Sequence, residues 1–374
     1  MRRKLLFIFT QVFADGGIQR FNQTLVSASK PLDADFEILS LRDIQSFDVQ
    51  ANIHVTSFAG DQLKFARAVF RAVRWGDYTS ILVGHINFIV LVASAFRYRV
   101  RRRPRIMLVT HGIDAWTNIK GLRRRALRAV DQILCVSHYT QSRIEQQAPE
   151  FPRSHYVLFP NALNSSWGQL GHGSSGAGSS GSRFCIPERF ILSVSRLSHH
   201  DRYKGIATVL ETLPMLEDSQ IHYVIAGDGD DRGFLQWIAS EFEARERVHF
   251  MGAVPDGELA ELYRRCTAFV LPSGKEGFGL VYLEAMYFGA PVVAAAEKGV
   301  LDVVEDERNG LLVPFGDTVR LKAALDRLIA DRALRAILTS KAKTSVTDGG
   351  MFTFEAFANR WAELLQHHSI QDVR

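Results

Sequence analysis

The sequence is poor in the features that mark several protein classes. It has only three cysteines in 374 residues, Cys135, Cys185 and Cys266. They stand far apart, without C-x-x-C spacing. That excludes a disulfide-stapled scaffold and a zinc site, and points to a reducing compartment. Apolar runs are short: Phe88 to Phe96 falls well below the roughly 20 residues a membrane-spanning helix needs. The basic start, Met1-Arg2-Arg3-Lys4, is followed by only Leu5 to Phe9 and no small-residue cleavage site, so it reads as a first buried strand rather than a signal peptide. The arginine clusters at 97–105 and 123–125 lack interleaved stacking aromatics or a recognised motif, so no nucleic-acid partner is expected.

Hydrophobic residues, in contrast, make up 47% of the chain, enough for more than one core. Charge is uneven. Residues 1–150 carry 22 Lys and Arg against 12 Asp and Glu, whereas the remainder carries 23 against 28. A basic amino-terminal half is drawn to phosphates, in anionic lipid or in a lipid-linked diphosphate. Within it, Lys64, Arg67, Arg71 and Arg74 recur every three or four positions opposite Leu63, Ala66, Val69, Phe70 and Val73. That pattern predicts a basic amphipathic helix, with a solvated face and contact with an anionic membrane as equal alternatives.

The stretch 268–295, AFVLPSGKEGFGLVYLEAMYFGAPVVAA, organises the chain. A buried apolar run, Ala268 to Leu271, stops at Pro272-Ser273-Gly274. A helical pattern then runs from near Phe278 to Phe288, and Gly289-Ala290-Pro291 ends it. In an open parallel sheet this strand–loop–helix order puts the loop at a strand's carboxyl end, where ligands bind. Glu276 lies on the loop and Glu284 about two turns into the helix, too far apart for the paired carboxylates of a retaining glycosidase, which sit about 5 Å apart. Two carboxylates gripping one extended ligand, with sugar hydroxyls as donors, fit better.

Glu276-Gly277-Phe278-Gly279-Leu280, then Glu284-Ala285-Met286 and Gly289-Ala290-Pro291-Val292-Val293, resembles the E-x7-E signature of retaining glycosyltransferase family 4. The resemblance implies an α/β protein of two Rossmann-like domains facing a central cleft, the GT-B fold. It also implies transfer of a hexose, with retention, from a nucleoside-diphosphate sugar to a glycan or lipid-linked acceptor. Glu276 would contact the donor sugar and Glu284 the ribose, with Gly277, Phe278, Gly279 and Leu280 lining the same donor site. Gly16 and Gly17, at a strand-to-helix turn, would face the donor diphosphate and the acceptor, and His111 at the end of a short strand would contact the sugar near its C6 hydroxyl. Asp114 is an acceptor contact or an N-cap. Arg196 and Lys204 flank a loop after the strand Phe190–Val194 and would hold the diphosphate without metal, so no cofactor is expected.

Other features remain outside the pattern or depart from it. His199-His200-Asp201 reads as a surface loop and Asp228-Gly229-Asp230 as an ordinary turn, neither a metal site. Glu297-Lys298-Gly299-Val300-Leu301-Asp302 replaces the more usual Gly-Gly-x-x-Glu. Tyr203-Lys204-Gly205 after the pair Asp201-Arg202 resembles bacterial mannosyltransferases of surface-polysaccharide assembly, which favours GDP-mannose. A UDP-hexose donor, or a sugar-nucleotide-binding protein without activity, are the alternatives. The expected organisation is an acceptor domain at 1–163, a Gly/Ser-rich linker or loop at 164–188, a nucleotide-sugar domain at 189–350, and a last helix at 351–374 crossing back to the first domain. The expected location is the cytoplasm, with or without peripheral contact at the inner membrane.

Overall fold

The computed structural model describes residues 2–366 except 15, 100, 118, 165–166, 168–169, 171–185 and 348. Most of the expected 164–188 linker, with Cys185, therefore lies outside the described residues. The chain divides into two compact units, Met1–Asn164 with Phe354–Arg374, and Ser165–Thr353.

Unit 1 is built on strands β1 (Arg3–Phe9), β2 (Ala34–Ser40), β3 (Phe47–Gln50), β4 (Ile53–Ser57), β5 (Ser80–Val83), β6 (Arg105–Thr110), β7 (Gln132–Cys135) and β8 (Tyr156–Leu158). Their order is β3-β4-β2-β1-β5-β6-β7-β8, parallel throughout except for β3 against β4. The inner strands are continuous apolar runs because helices cover both faces of a parallel sheet. Ile81, Val83, Ile106 and Leu108 pack on one face with Val69 and Val92.

Sequence order reverses between β1 and β5, so the connections leaving these neighbours diverge and open a crevice at their carboxyl ends. The loop after β1 leads there into the helix Gly17–Ser29. The helix Gln62–Trp75 buries Phe65, Val69 and Val73. Leu63, expected on its apolar side, is instead 70% exposed, because at 3.6 residues per turn it lies about 160° round the helix from buried Phe65, on the side of Arg67 and Arg74. The Arg97–Arg105 segment is only partly a charged surface: Arg97, Arg101, Arg102 and Arg103 are exposed. Arg99 bonds the Val73 and Gly76 carbonyls at the end of that helix, and Arg105 is buried.

The helix Phe354–Gln366 packs on Gly17–Ser29 and belongs to unit 1. Its Trp361 is fully buried, donates from Nε1 to Ser29 Oγ at 3.0 Å, and meets Phe7 edge-on. Arg3 and Arg105 donate to its terminal carbonyls, Leu365 O at 2.9 Å and Leu364 O at 2.6 Å, which satisfies acceptors a helix end leaves open.

Unit 2 holds β9 (Phe190–Val194), β10 (His222–Ala226), β11 (Val248–Gly252), β12 (Ala268–Leu271), β13 (Val292–Ala295) and β14 (Leu311–Val313). The order is β11-β10-β9-β12-β13-β14, all parallel, with the reversal between β9 and β12. Each unit is thus a Rossmann-like α/β domain. Replacing Trp361 by Ala removes a buried ring and a side-chain hydrogen bond at once. We expect Trp361→Ala to destabilise the protein by about 3–5 kcal/mol, read as a lowered urea midpoint in equilibrium denaturation.

Candidate active site

In unit 2 the reversal between β9 and β12 brings two loops together. The loop after β9 carries Arg196 and Lys204; the loop after β12 carries Glu276. Lys204 Nζ donates to Glu276 Oε2 at 2.5 Å, with the two side chains only 20% and 15% exposed. The sequence-predicted cation and carboxylate therefore form one partly buried ion pair at the crevice mouth. Arg196 takes a different partner: its Nε donates to Asp201 Oδ2 at 2.7 Å while most of the guanidinium stays in solvent.

Asp201 and Tyr203 were not legible as site residues. The expected surface loop at 199–201 is instead a 3-10 turn, His199–Lys204, that buries Asp201. Tyr203 donates its hydroxyl to Asp201 Oδ1 at 2.8 Å. Burial works against the Asp201 charge, but the bonds from Arg196 and Tyr203 outweigh it and hold the carboxyl below its ordinary range. Burial, reinforced by Asp201, pushes the Tyr203 phenol up, so it stays a donor. The Asp-x-Asp stretch is occupied as well. Asp230 accepts from the His199 N–H at 3.0 Å and contacts its ring Nδ1 at 2.6 Å, and Asp228 accepts from the Gly229 N–H at 2.9 Å.

The helix after Glu276 spans Leu280–Phe288, starting two residues later than the pattern suggested. Gly279 is the reason. It sits at φ 97° in the left-handed region before the first turn, where a Cβ would also meet the Tyr282 ring at 2.4 Å. Glu284 is consequently the fifth helical residue, little more than one turn in rather than two. It is buried, and its Oε2 accepts from the Tyr263 hydroxyl at 3.1 Å. Phe278 turns inward against Phe352, and Leu280 is buried. What 277–280 offers a ligand is therefore backbone, including first-turn N–H groups that no side chain caps. Tyr282 donates to the Leu271 carbonyl at 2.7 Å and fixes the helix to β12.

In unit 1, His111 follows β6 and its Nε2 lies 3.0 Å from the Gly84 carbonyl after β5. A carbonyl only accepts, so Nε2 carries the proton and Nδ1 presents a lone pair. Burial lowers the imidazole pKa to about 4, with the Gly84 bond opposing, so the ring is neutral at pH 7. Phe21 meets it edge-on at 5.0 Å. Asp114 Oδ1 accepts from the His111 N–H at 3.1 Å, while Oδ2 is buried without a hydrogen-bond partner. Asp114 lies inside the short helix Ile113–Trp116, whose N-cap is Gly112, so the N-cap alternative is corrected: the carboxylate reaches back to the loop. Burial raises the Asp114 pKa and lowers that of His85, a neighbour that no motif marked.

Gly16 is the N-cap residue and Gly17 the first residue of the helix after β1. Buried Asp43 shapes their loop by accepting from the Val12 N–H at 2.8 Å, the Phe13 N–H at 3.0 Å and Ser40 Oγ at 2.6 Å. His111, Asp114, Gly16 and Gly17 thus belong to unit 1, and Arg196, Lys204, Glu276 and Glu284 to unit 2.

This architecture defines a class. Sucrose-phosphate synthase from Thermosynechococcus elongatus superposes with a TM-score of 0.77 at 19% identity, covering 98% of this chain and 99% of that one. Anabaena HepE in complex with UDP-glucose superposes at 0.74 and 21% identity, covering 97% and 99%. The fold is therefore GT-B.

The sequence matches are more specific. Residues 15–167 match the model described as Glycosyltransferase Family 4, and residues 186–345 the model described as Glycosyl transferases group 1, so the chain is a two-domain protein of the group 1 and family 4 glycosyltransferase type. An uncharacterized glycosyltransferase of Methanocaldococcus jannaschii is 34% identical over 160 residues, 42% of this chain and 40% of that protein. A D-inositol 3-phosphate glycosyltransferase of Frankia alni is 43% identical over 105 residues, 28% of this chain and 26% of that protein. The lipopolysaccharide core biosynthesis glycosyltransferase LpsE of Rhizobium meliloti is 30% identical over 162 residues, 43% and 46%. The matched stretches span less than half the length of these relatives.

The His111 geometry has a pH consequence. A histidine held neutral in the fold, with its pKa lowered from 6.5 to about 4, takes up a proton in the unfolded chain first. Its contribution is complete above pH 6.5 and is lost as pH falls toward 4. We expect denaturation midpoints to drop over that window, and His111→Gln to flatten the drop relative to wild type.

Proposed function

We propose that the chain transfers a hexose, with retention, from a nucleoside-diphosphate sugar to a hydroxyl of a glycan or lipid-linked acceptor, with mannose from GDP-mannose as the favoured donor. The observation that carries this reading is the Lys204–Glu276 pair at the reversal between β9 and β12. A nucleotide-binding crevice there needs a cation for phosphate, and a sugar needs a carboxylate acceptor. The pair supplies both at adjoining positions.

The residues act as follows in this reading. Lys204, Arg196 and the first-turn N–H groups of Leu280–Phe288 neutralise the diphosphate as it leaves, in place of a metal. Asp201 and Tyr203 keep Arg196 oriented. Glu276 accepts hydrogen bonds from sugar hydroxyls and Glu284 from the ribose, while the neutral His111 accepts a sugar hydroxyl at Nδ1. As the anomeric carbon–oxygen bond to phosphate breaks, the acceptor oxygen attacks from the same face and its proton passes to the departing phosphate oxygen. Asp114, whose buried Oδ2 has no hydrogen-bond partner, is the acceptor contact.

A UDP-hexose is the second donor reading; the Anabaena HepE structure of the same fold holds UDP-glucose. On the other side of the reaction, the helix Gln62–Trp75 exposes Lys64, Arg67 and Arg71 together with Leu63 and Trp75, a face suited to anionic lipid. Among the described residues no helix is long and apolar enough to cross a membrane. On this reading the chain docks peripherally, through that helix, at the cytoplasmic face of an inner membrane.

The test of the donor is a thermal-shift panel of GDP-mannose, UDP-glucose, UDP-GlcNAc, UDP-galactose, GDP and UDP, with and without EDTA. A raised midpoint with one nucleotide family, unchanged by EDTA, is expected; no shift with any of them defeats the proposal. Lys204→Met and Glu276→Gln should lower turnover at least about a hundredfold with circular dichroism unchanged. Sedimentation with phosphatidylglycerol vesicles should be lost in the Lys64→Glu, Arg67→Glu, Arg71→Glu triple variant, whereas retention would remove the membrane from the account.

A further inference from the structure

Lys298 stands where the departure from Gly-Gly-x-x-Glu falls, and three observations set it apart. Its backbone is left-handed, at φ 53°, a region that side-chain-bearing residues enter at a cost. Its Nζ donates to the Gly274 carbonyl and to Glu297 Oε2, the latter at 2.9 Å. Gly299, the next residue, donates its N–H to the Glu276 carbonyl at 3.1 Å. No larger residue fits at 299, since a Cβ there would lie 2.2 Å from Gly277 O and 2.8 Å from Glu276 O.

The loop Pro272–Gly279 is therefore gripped on two sides. Tyr203 O accepts from the Gly274 N–H at 2.8 Å on one side, and the Lys298-Gly299 turn holds the Gly274 and Glu276 carbonyls on the other. The Glu276 side chain has a separate restraint, Lys204. These restraints differ in what a donor does to them. A diphosphate competes for the Lys204 ammonium and weakens its hold on Glu276. The grip from Lys298 and Gly299 comes from other donors and falls on the loop's backbone carbonyls, so drawing Lys204 away leaves it standing.

We propose that Lys298 is a positioning residue. Through its left-handed turn and its bond to Gly274 it holds the Glu276 loop in place, so that the carboxylate still meets the donor sugar once Lys204 has turned to the diphosphate. This rests on the glycosyl-transfer reading of the same site. The strained backbone fits such a role, because the turn is what brings the Gly299 N–H against the Glu276 carbonyl and sends the Lys298 side chain to Gly274.

The discriminating variant is Lys298→Asn, since asparagine accepts a left-handed backbone but is too short to reach Gly274. Lys298→Arg restores reach and charge. Two measurements are made on the full chain. Amide exchange by mass spectrometry follows peptides covering 272–279 without ligand. Release of nucleoside diphosphate is followed with whichever sugar nucleotide raises the thermal midpoint.

We expect Lys298→Asn to unfold at a midpoint near wild type and to exchange faster at 272–279. Its kcat should fall about tenfold to a hundredfold, with the midpoint shift from GDP or UDP alone retained. Lys298→Arg should recover exchange protection and most of kcat. Unchanged exchange in Lys298→Asn overturns the proposal, and so does loosened exchange with unchanged kcat. A wild-type protein that neither binds nor turns over any member of the panel overturns the glycosyl-transfer reading and with it the role assigned to Lys298 in holding Glu276 for a sugar.

Discussion

Two neighbouring parallel strands whose following segments turn to opposite faces of a sheet cannot close the gap at their carboxyl ends with sheet hydrogen bonds. Everything at the unit 2 site follows from that constraint. Between β9 and β12 the gap is bridged by side chains and turns: Lys204 reaching Glu276, the Tyr203 carbonyl taking the Gly274 N–H, and the 3-10 turn His199–Lys204 burying Asp201. The same reversal in unit 1 leaves the Gly84 carbonyl beyond β5 for His111 to bind, and the loop beyond β1 for Asp43 to bind. Neither crevice is an absence of structure. Each is a place where backbone groups that a sheet would have used are satisfied from the side.

The electrostatics of the two crevices differ. In unit 2 the charges are paired, Lys204 with Glu276, Arg196 with Asp201, Arg202 with Asp231, so a charged ligand enters by exchanging partners rather than by meeting isolated charge. In unit 1 burial suppresses charge: His111 is neutral, Asp114 is pushed toward its protonated form, and His85 toward its neutral one. One crevice suits an anion and the other an uncharged hydroxyl.

Much of this was legible in the sequence. Unbroken apolar runs ending in Gly, Pro, Ser or His marked the parallel strands, and the strand–loop–helix order placed Glu276, Arg196 and Lys204 at strand ends. Helix limits were less legible because they turn on single dihedral angles. Gly279 delays its helix by two residues and so brings Glu284 about half a turn nearer the helix start. Burial was least legible: Asp201 sits in a stretch as polar as any surface loop, and only the tight turn around it turns the carboxylate inward. Leu63 shows the converse, an apolar residue that lies two positions out of phase with the buried stripe of Phe65, Val69 and Val73 and so stays in solvent. Lys298 gave a signal as a departure from a glycine pattern, but composition does not report a positive φ.

The helix Phe354–Gln366 completes unit 1 after the whole of unit 2 has intervened in the chain. During synthesis the eight-stranded sheet emerges first and is finished last, with Phe7, Phe21 and Phe159 lacking the cover of Phe357 and Trp361 until the whole of unit 2, Ser165–Thr353, has been made. Unit 2, contiguous in sequence, can fold as it leaves the ribosome, whereas unit 1 waits. A nascent chain stalled before residue 354 should therefore present a sheet with one uncovered aromatic face, the form of this protein most exposed to chaperones.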